Sequence, residues 1–301
     1  MSLEAPEQAA VTVAHPIPRR YVALGLIVVV IVLLGALLVL RQVTGHPNNT
    51  AAVETFTPAP ASIMASLAHI PATTTDAVGA TPVAAAGPIT PLTATGSPVL
   101  WQAAGADGVT RPVVFFYGAE FAPYAAAQRW PVIVALSRFG TFGTVGLMQS
   151  SESVAFANTS TFTFWHTTYT SKWITLQTVE RYSSLNPTGA QYTALQTPTP
   201  RQAAAVSTYD AAGATFPLLD IANRYVLAGS SFSPAVLASQ NQSQIVGDLA
   251  IPTSPITQAI VASANEITAT ICAVDGQQPA AVCHARGVTA ARAKLRITPS
   301  R

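Results

Sequence analysis

The chain has 301 residues, half of them apolar and only 9% charged, with a net charge of +2 and two cysteines. A typical soluble domain is about 25% charged, so the surface here must be built mainly from Ser, Thr, Gln, Asn and Ala. So small a net charge, with no basic patch interleaved with aromatics, argues against nucleic acid as a partner. Two cysteines and five scattered histidines do not make a four-ligand metal site.

The first element is Tyr21–Leu40, an apolar run without a charge. At 1.5 Å per residue, about 20 residues cross the roughly 30 Å hydrocarbon core. A cleavable signal peptide has a shorter apolar region, about 7–15 residues, with small residues before its cut site. Here the run ends in Leu38-Val39-Leu40-Arg41, so it reads as an uncleaved anchor. Arg19 and Arg20 precede it; Arg41 follows, and the next basic residue is Arg111. The positive-inside rule then places the N-terminus in the cytoplasm and the remainder outside. The expected organisation is a cytoplasmic tail (1–20), a transmembrane anchor (21–40), a flexible stalk (41–59) and an extracytoplasmic domain (60–296) on a single-pass membrane protein.

Ile63, Met64, Leu67 and Ile70 fall at helical spacing and predict a short helix opening the domain. Residues 71–98 have no sustained period and read as an extended, loop-like segment. Pro112–Gly118 is a continuous apolar run, as a strand buried on both faces requires. A helix follows from Pro123, which suits its first turn, to Phe139, with Gly140 as C-cap and Pro131 predicting a kink. Thr144–Ser150 is the next strand, expected to lie parallel to the first through a right-handed crossover. Residues 151–187 alternate with period two and read as inserted β structure. Thr199 as N-cap and Pro200 open an Ala-rich helix. Thr215–Gly229 reads as two strands around a turn at Ala222-Asn223. Ser233–Leu249 and Ser254–Ala273 read as two further helices, the second carrying Cys272.

The resulting order (β-α-β, inserted β, α, β-hairpin, α) is that of an α/β, thioredoxin-like fold. Two local stretches resemble that family more closely. In FFYGAEFAPYAAAQRW a strand leads to a helix start, as at the thioredoxin-family Trp-Cys-Pro-x-Cys turn. Phe121 matches the aromatic, Ala122 and Ala125 the two cysteines, and Pro123 and Tyr124 the middle pair. In ATFPLL, Pro217 matches the cis-proline that faces the turn; the plain alternative is a trans proline entering a strand. More specifically, YGAEFAPYAAAQRWPVIVALSRFGTF, NTSTFTFWHTTYTSKWITL, FPLLDIANRYVLAGSSFSPAVL and ANEITATICAV…VC resemble domain-of-unknown-function family 929, a family of membrane-anchored proteins. The resemblance covers roughly residues 60–290 and implies a thioredoxin-like domain. Members carry Cys-Pro-x-Cys after Gly-Ala-Glu-aromatic, and this chain departs at both cysteines.

That departure bears on function. Dithiol exchange needs an attacking thiolate and a second, resolving thiol, and alanine supplies neither. No phosphate loop, dinucleotide fingerprint, serine-nucleophile motif or zinc motif occurs, so no cofactor or metal is expected. Glu120 reads as a solvated loop carboxylate rather than a catalytic acid, Arg129 and Arg138 as the polar face of their helix, and Trp130 and Phe139 as core. Cys272 and Cys283 enclose a short Gly/Pro-containing loop and admit two uses, a structural disulfide or a redox pair. The expectation is a non-catalytic module that binds a protein or peptide on an exposed surface around Phe121, Pro123, Tyr124 and Pro217, or that maintains the envelope. The alternative is a thiol–disulfide oxidoreductase using Cys272 and Cys283.

Overall fold

A computed structural model of the protein describes residues 55–297 other than 81–86, 88, 187, 188, 190, 211, 212 and 214. The expected anchor, Tyr21–Leu40, lies outside the described residues. Among these, no helix is long and apolar enough to cross a membrane.

Strand β1 (Thr57–Pro58) pairs with Leu147 and Gly146, so regular structure already occurs within the segment expected as stalk. Helix α1 (Ala61–Ala68) buries Ile63 and Leu67. Residues 71–98 depart from the expected loop, because α2 (Ala72–Val78) and β2 (Thr93–Ala94) form within them. Three consecutive threonines are weak helix formers, but tertiary partners override that preference. Thr74 and Val78 are buried. The Asp76 carboxylate accepts from the Gly287 N–H at 2.9 Å. Asn265 Nδ2 donates to the carbonyls of Thr75 and Gly79 at 3.1 and 2.6 Å.

Strand β3 (Gln102–Ala104) pairs with the first residues of β4 (Thr110–Gly118), the central strand of the molecule. Its side chains alternate between two cores, as a strand period of two demands. Val114 and Phe116 face one cluster, and Val113, Phe115 and Tyr117 the other. Helix α3 (Pro123–Leu136) is buried at every position but Tyr124 and continues through Pro131. It ends before Phe139, and Gly140 is not its C-cap. Gly140 instead begins β5 (Gly140–Gln149), where a Cβ would lie 2.2 Å from the Thr170 carbonyl oxygen.

The expected parallel pairing of β4 with the next strand does not occur. β5 joins β1 and β6 (Ser160–Ser171) in a separate three-stranded antiparallel sheet. The parallel partner of β4 is β7 (Thr175–Glu180), a strand of the segment expected as inserted β structure. Its physical reason is local: β5 and β6 are long neighbours in sequence that satisfy each other's backbone groups as a bulged hairpin, leaving the edge of β4 to β7.

Helix α4 (Pro200–Tyr209) opens with a capping box, Thr199 with Gln202, as its sequence predicts. β8 (Leu218–Ile221) runs antiparallel to β4, and β9 (Tyr225–Ala228) antiparallel to β8. Ala222 and Asn223 in the connecting loop both take positive φ. The expected helix over 233–249 is two pieces, a 3-10 turn (Pro234–Leu237) and α5 (Gln242–Asp248). The break falls at Ser239, whose φ is positive, and Asn241 then caps α5 reciprocally with Gln244. Helix α6 (Pro255–Val274) is buried from Ile256 to Cys272 and is followed by α7 (Ala280–Cys283) and α8 (Arg286–Lys294). The result is a mixed α/β architecture in which α3 and α6 pack in the larger core and α4 contributes to the smaller one.

Candidate functional site

The turn between β4 and α3 carries every residue of the expected site but Pro217. Gly118 starts it, and a Cβ there would lie 2.5 Å from the Phe116 ring and 3.1 Å from Glu180 Oε2, so only glycine fits. The Gly118 carbonyl accepts from Arg181 N–H at 2.7 Å, and Glu120 N–H donates to the Tyr182 carbonyl at 2.8 Å. Ala122 is the N-cap of α3 and makes no side-chain cap. Its methyl and that of Ala125 are buried, and neither offers a nucleophile or a proton.

The peptide Phe216–Pro217 is cis, and Pro217 immediately precedes β8. Phe216 brings this segment to the turn, meeting Phe121 edge-on at 5.8 Å between ring centroids. The surface expected around these residues is largely covered. Pro123 and Pro217 are buried and Phe121 is half-buried, while Tyr124 alone is exposed. The cover is Tyr192, whose ring stacks on Phe121 at 4.0 Å and 6°. The loop after β7 holds it there through a Tyr182–Ala194 bridge and a bond from Ser183 N–H to the Thr193 carbonyl at 2.8 Å. Tyr182 also packs against Phe121 and Phe216. Beside this cluster, Tyr124 meets Phe156 edge-on at 5.9 Å, and both rings are open to solvent at 44% and 40%. Sequence reasoning missed Phe156, Tyr182, Tyr192 and Phe216, because they come from three separate connections and no local spacing links them to the turn.

The charges beneath the turn overturn two further expectations. Glu120 is not a solvated carboxylate: it is 1% exposed, and Thr163 Oγ1 donates to it. Arg129 does not lie on a polar helix face. It is fully buried and forks onto Glu180, with Nε–Oε1 at 2.9 Å and Nη2–Oε2 at 2.6 Å. Nη2 also donates to the Ala119 carbonyl at 3.1 Å, which ties the ion pair to the backbone of the turn. Arg138 likewise points inward, donating to Asn265 Oδ1 and Thr268 Oγ1, both at 2.9 Å. Trp130 and Phe139 are core residues, and the Trp130 indole donates to the Ser160 carbonyl at 3.0 Å.

Cys272 and Cys283 form a disulfide that joins α6 to α7, with Cα atoms 5.6 Å apart and both residues fully buried. The Asp275 carboxylate lies within 4.8 Å of the sulfurs. Burial pushes its pKa up to about 7. With the sulfurs bonded to each other, this trio offers no thiolate to a metal.

The sequence profile of the Domain of unknown function (DUF929) matches residues 107–273, more than half of the chain, from just before β4 into the last turn of α6. No curated protein matches the chain, and no solved structure does. The match contains the turn, the Phe216–Pro217 segment and Cys272, so the chain belongs to the DUF929 family.

Proposed function

We propose that this chain is a membrane-anchored, extracytoplasmic thioredoxin-like protein that binds polypeptide at the β4–α3 turn without dithiol chemistry. The strand order β7-β4-β8-β9 supports the fold, with β7 parallel to β4, β8 antiparallel to β4 and β9 antiparallel to β8. Helix α3 leads out of β4 at the turn, and α6 comes after the hairpin, the 3-10 turn and α5. The anchor reading rests on the Tyr21–Leu40 run. A disulfide fits an oxidising compartment.

One observation carries the binding role: aromatic side chains from four connections converge where the reactive thiols are missing. Phe121, Tyr192 and Phe216 form the covered part, and Tyr124 with Phe156 the open part. Aromatic rings supply large contact area at low entropy cost, and truncating such an anchor costs roughly 1–2 kcal/mol or more of binding. The two buried sulfurs of Cys272 and Cys283 favour a structural role over exchange with a substrate disulfide.

The test is a fluorescence-anisotropy titration of the full-length chain with a reduced, alkylated and unstructured polypeptide. Tyr124→Ala and Phe156→Ala should each weaken binding about tenfold, and Tyr192→Ala should strengthen it by uncovering Phe121. Unchanged affinity in both Tyr124→Ala and Phe156→Ala would remove the turn from the function.

A further inference from the structure

A second cleft lies among α1, α2, α3, α6, α7 and α8, away from the aromatic cluster in its lining residues. It has a volume of about 180 Å³, walled by Leu67, Val134, Val282 and Val288, with Arg138 and Asp76 as its two charges. Ala68, Ala72 and Ala281 line it and are exposed, so it opens to solvent.

Arg138 is the unusual group. Its Nη1 donates to two neutral oxygens, Asn265 Oδ1 and Thr268 Oγ1. Its Nη2 is buried and has no partner among the described residues. No carboxylate lies within ion-pair distance of Arg138 among the described residues, unlike Arg111, Arg129 and Lys294. Burial lowers its pKa to about 10, so it stays charged at neutral pH, and Asp76 supports that charge from a distance. The Asp76 carboxylate is itself oriented by the Gly287 N–H at 2.9 Å. The guanidinium is held by neutral acceptors and lines the cleft with no carboxylate in ion-pair contact, so its charge can attract an anion there. An opposed carboxylate in the same small cavity makes a simple anion a poor match and a zwitterion a good one.

We propose that this cleft binds a small apolar α-amino acid, with its carboxylate on Arg138, its ammonium on Asp76 and its side chain against Leu67, Val134, Val282 and Val288. The volume agrees: a cavity of about 150 Å³ holds benzene, and valine and leucine are slightly larger. Neither the aromatic turn nor the disulfide takes part, so the site is independent of the polypeptide-binding reading.

Isothermal titration of the full-length chain with L-valine and L-leucine tests it. Saturable binding with a Kd on the order of 1 mM or below is expected for a ligand of this size. Isovalerate, which lacks the ammonium, and isobutylamine, which lacks the carboxylate, should bind at least about tenfold more weakly. Arg138→Gln and Asp76→Asn should each cost a similar factor. Because Arg138→Gln also removes structural hydrogen bonds, Ala281→Leu is included; it fills the rim, and it should abolish binding while the thermal midpoint holds. Absence of saturable binding by either amino acid overturns the proposal, as does binding that survives Ala281→Leu. Isovalerate binding as tightly as L-valine overturns the role of Asp76 and with it the assignment of an amino acid.

Discussion

Neutralising Glu180 should destabilise this protein more than any surface change. The Arg129–Glu180 pair is fully buried on both sides and makes two short contacts, at 2.9 and 2.6 Å. Glu180 Oε1 also accepts from the Phe164 N–H at 3.1 Å. In Glu180→Gln the amide oxygen can keep that bond, but the guanidinium is left buried without its counter-charge. Removing one partner of a buried pair costs about 3–5 kcal/mol. For a domain of 150–250 residues each kcal/mol moves Tm by about 2–4 °C, so the midpoint should fall by about 6–20 °C. Replacing both partners by apolar residues of similar volume leaves no stranded charge. Arg129→Met/Glu180→Leu should therefore lose less than Glu180→Gln alone. Differential scanning calorimetry and urea unfolding at pH 7 read both quantities. A Tm shift below about 2 °C in Glu180→Gln would refute the reasoning. So would a double variant as destabilised as the summed singles.

Three further outcomes are expected. Cys272→Ala/Cys283→Ala removes a cross-link spanning a sequence separation of 11. The chain-entropy relation gives about 3 kcal/mol for a loop of that order, read as a lower urea midpoint; an unchanged midpoint would contradict it. Asp220, buried in β8, has its pKa raised by burial from 3.8 to about 6. Between those values the folded state keeps a proton that the unfolded chain releases. Stability should thus be fully present below about pH 4, fall as pH rises to about 6 and level off above. Asp220→Asn should flatten that part of the profile, and an unchanged slope of unfolding free energy against pH would count against the assignment. Ala122→Cys/Ala125→Cys should give the turn a reducible disulfide and measurable exchange with a mixed-disulfide peptide, because the thiol at the helix N-terminus gains thiolate character. A folded double variant that exchanges no faster than the parent chain would weaken the thioredoxin-like reading.

Local chemistry was legible from the residues alone. The apolar run Pro112–Gly118 became β4, and Pro123 became the first residue of α3. Thr199 and Gln202 became the capping box of α4. The loss of both thiols at Ala122 and Ala125 was legible in the same way, since a side chain's reactivity is fixed by its identity. These features depend on residues within a few positions of one another, where period, caps and composition act directly. The choice of partners was made by the folded chain. It gave β4 to β7 instead of β5 and turned two supposed surface arginines inward. Arg129 meets Glu180 across 51 positions, and Arg138 meets Asn265 across 127. It also laid Tyr192 over Phe121 and so covered a surface expected to be exposed. Such contacts form when distant segments close into one core, and burial then selects a charge's partner whatever the local pattern suggests.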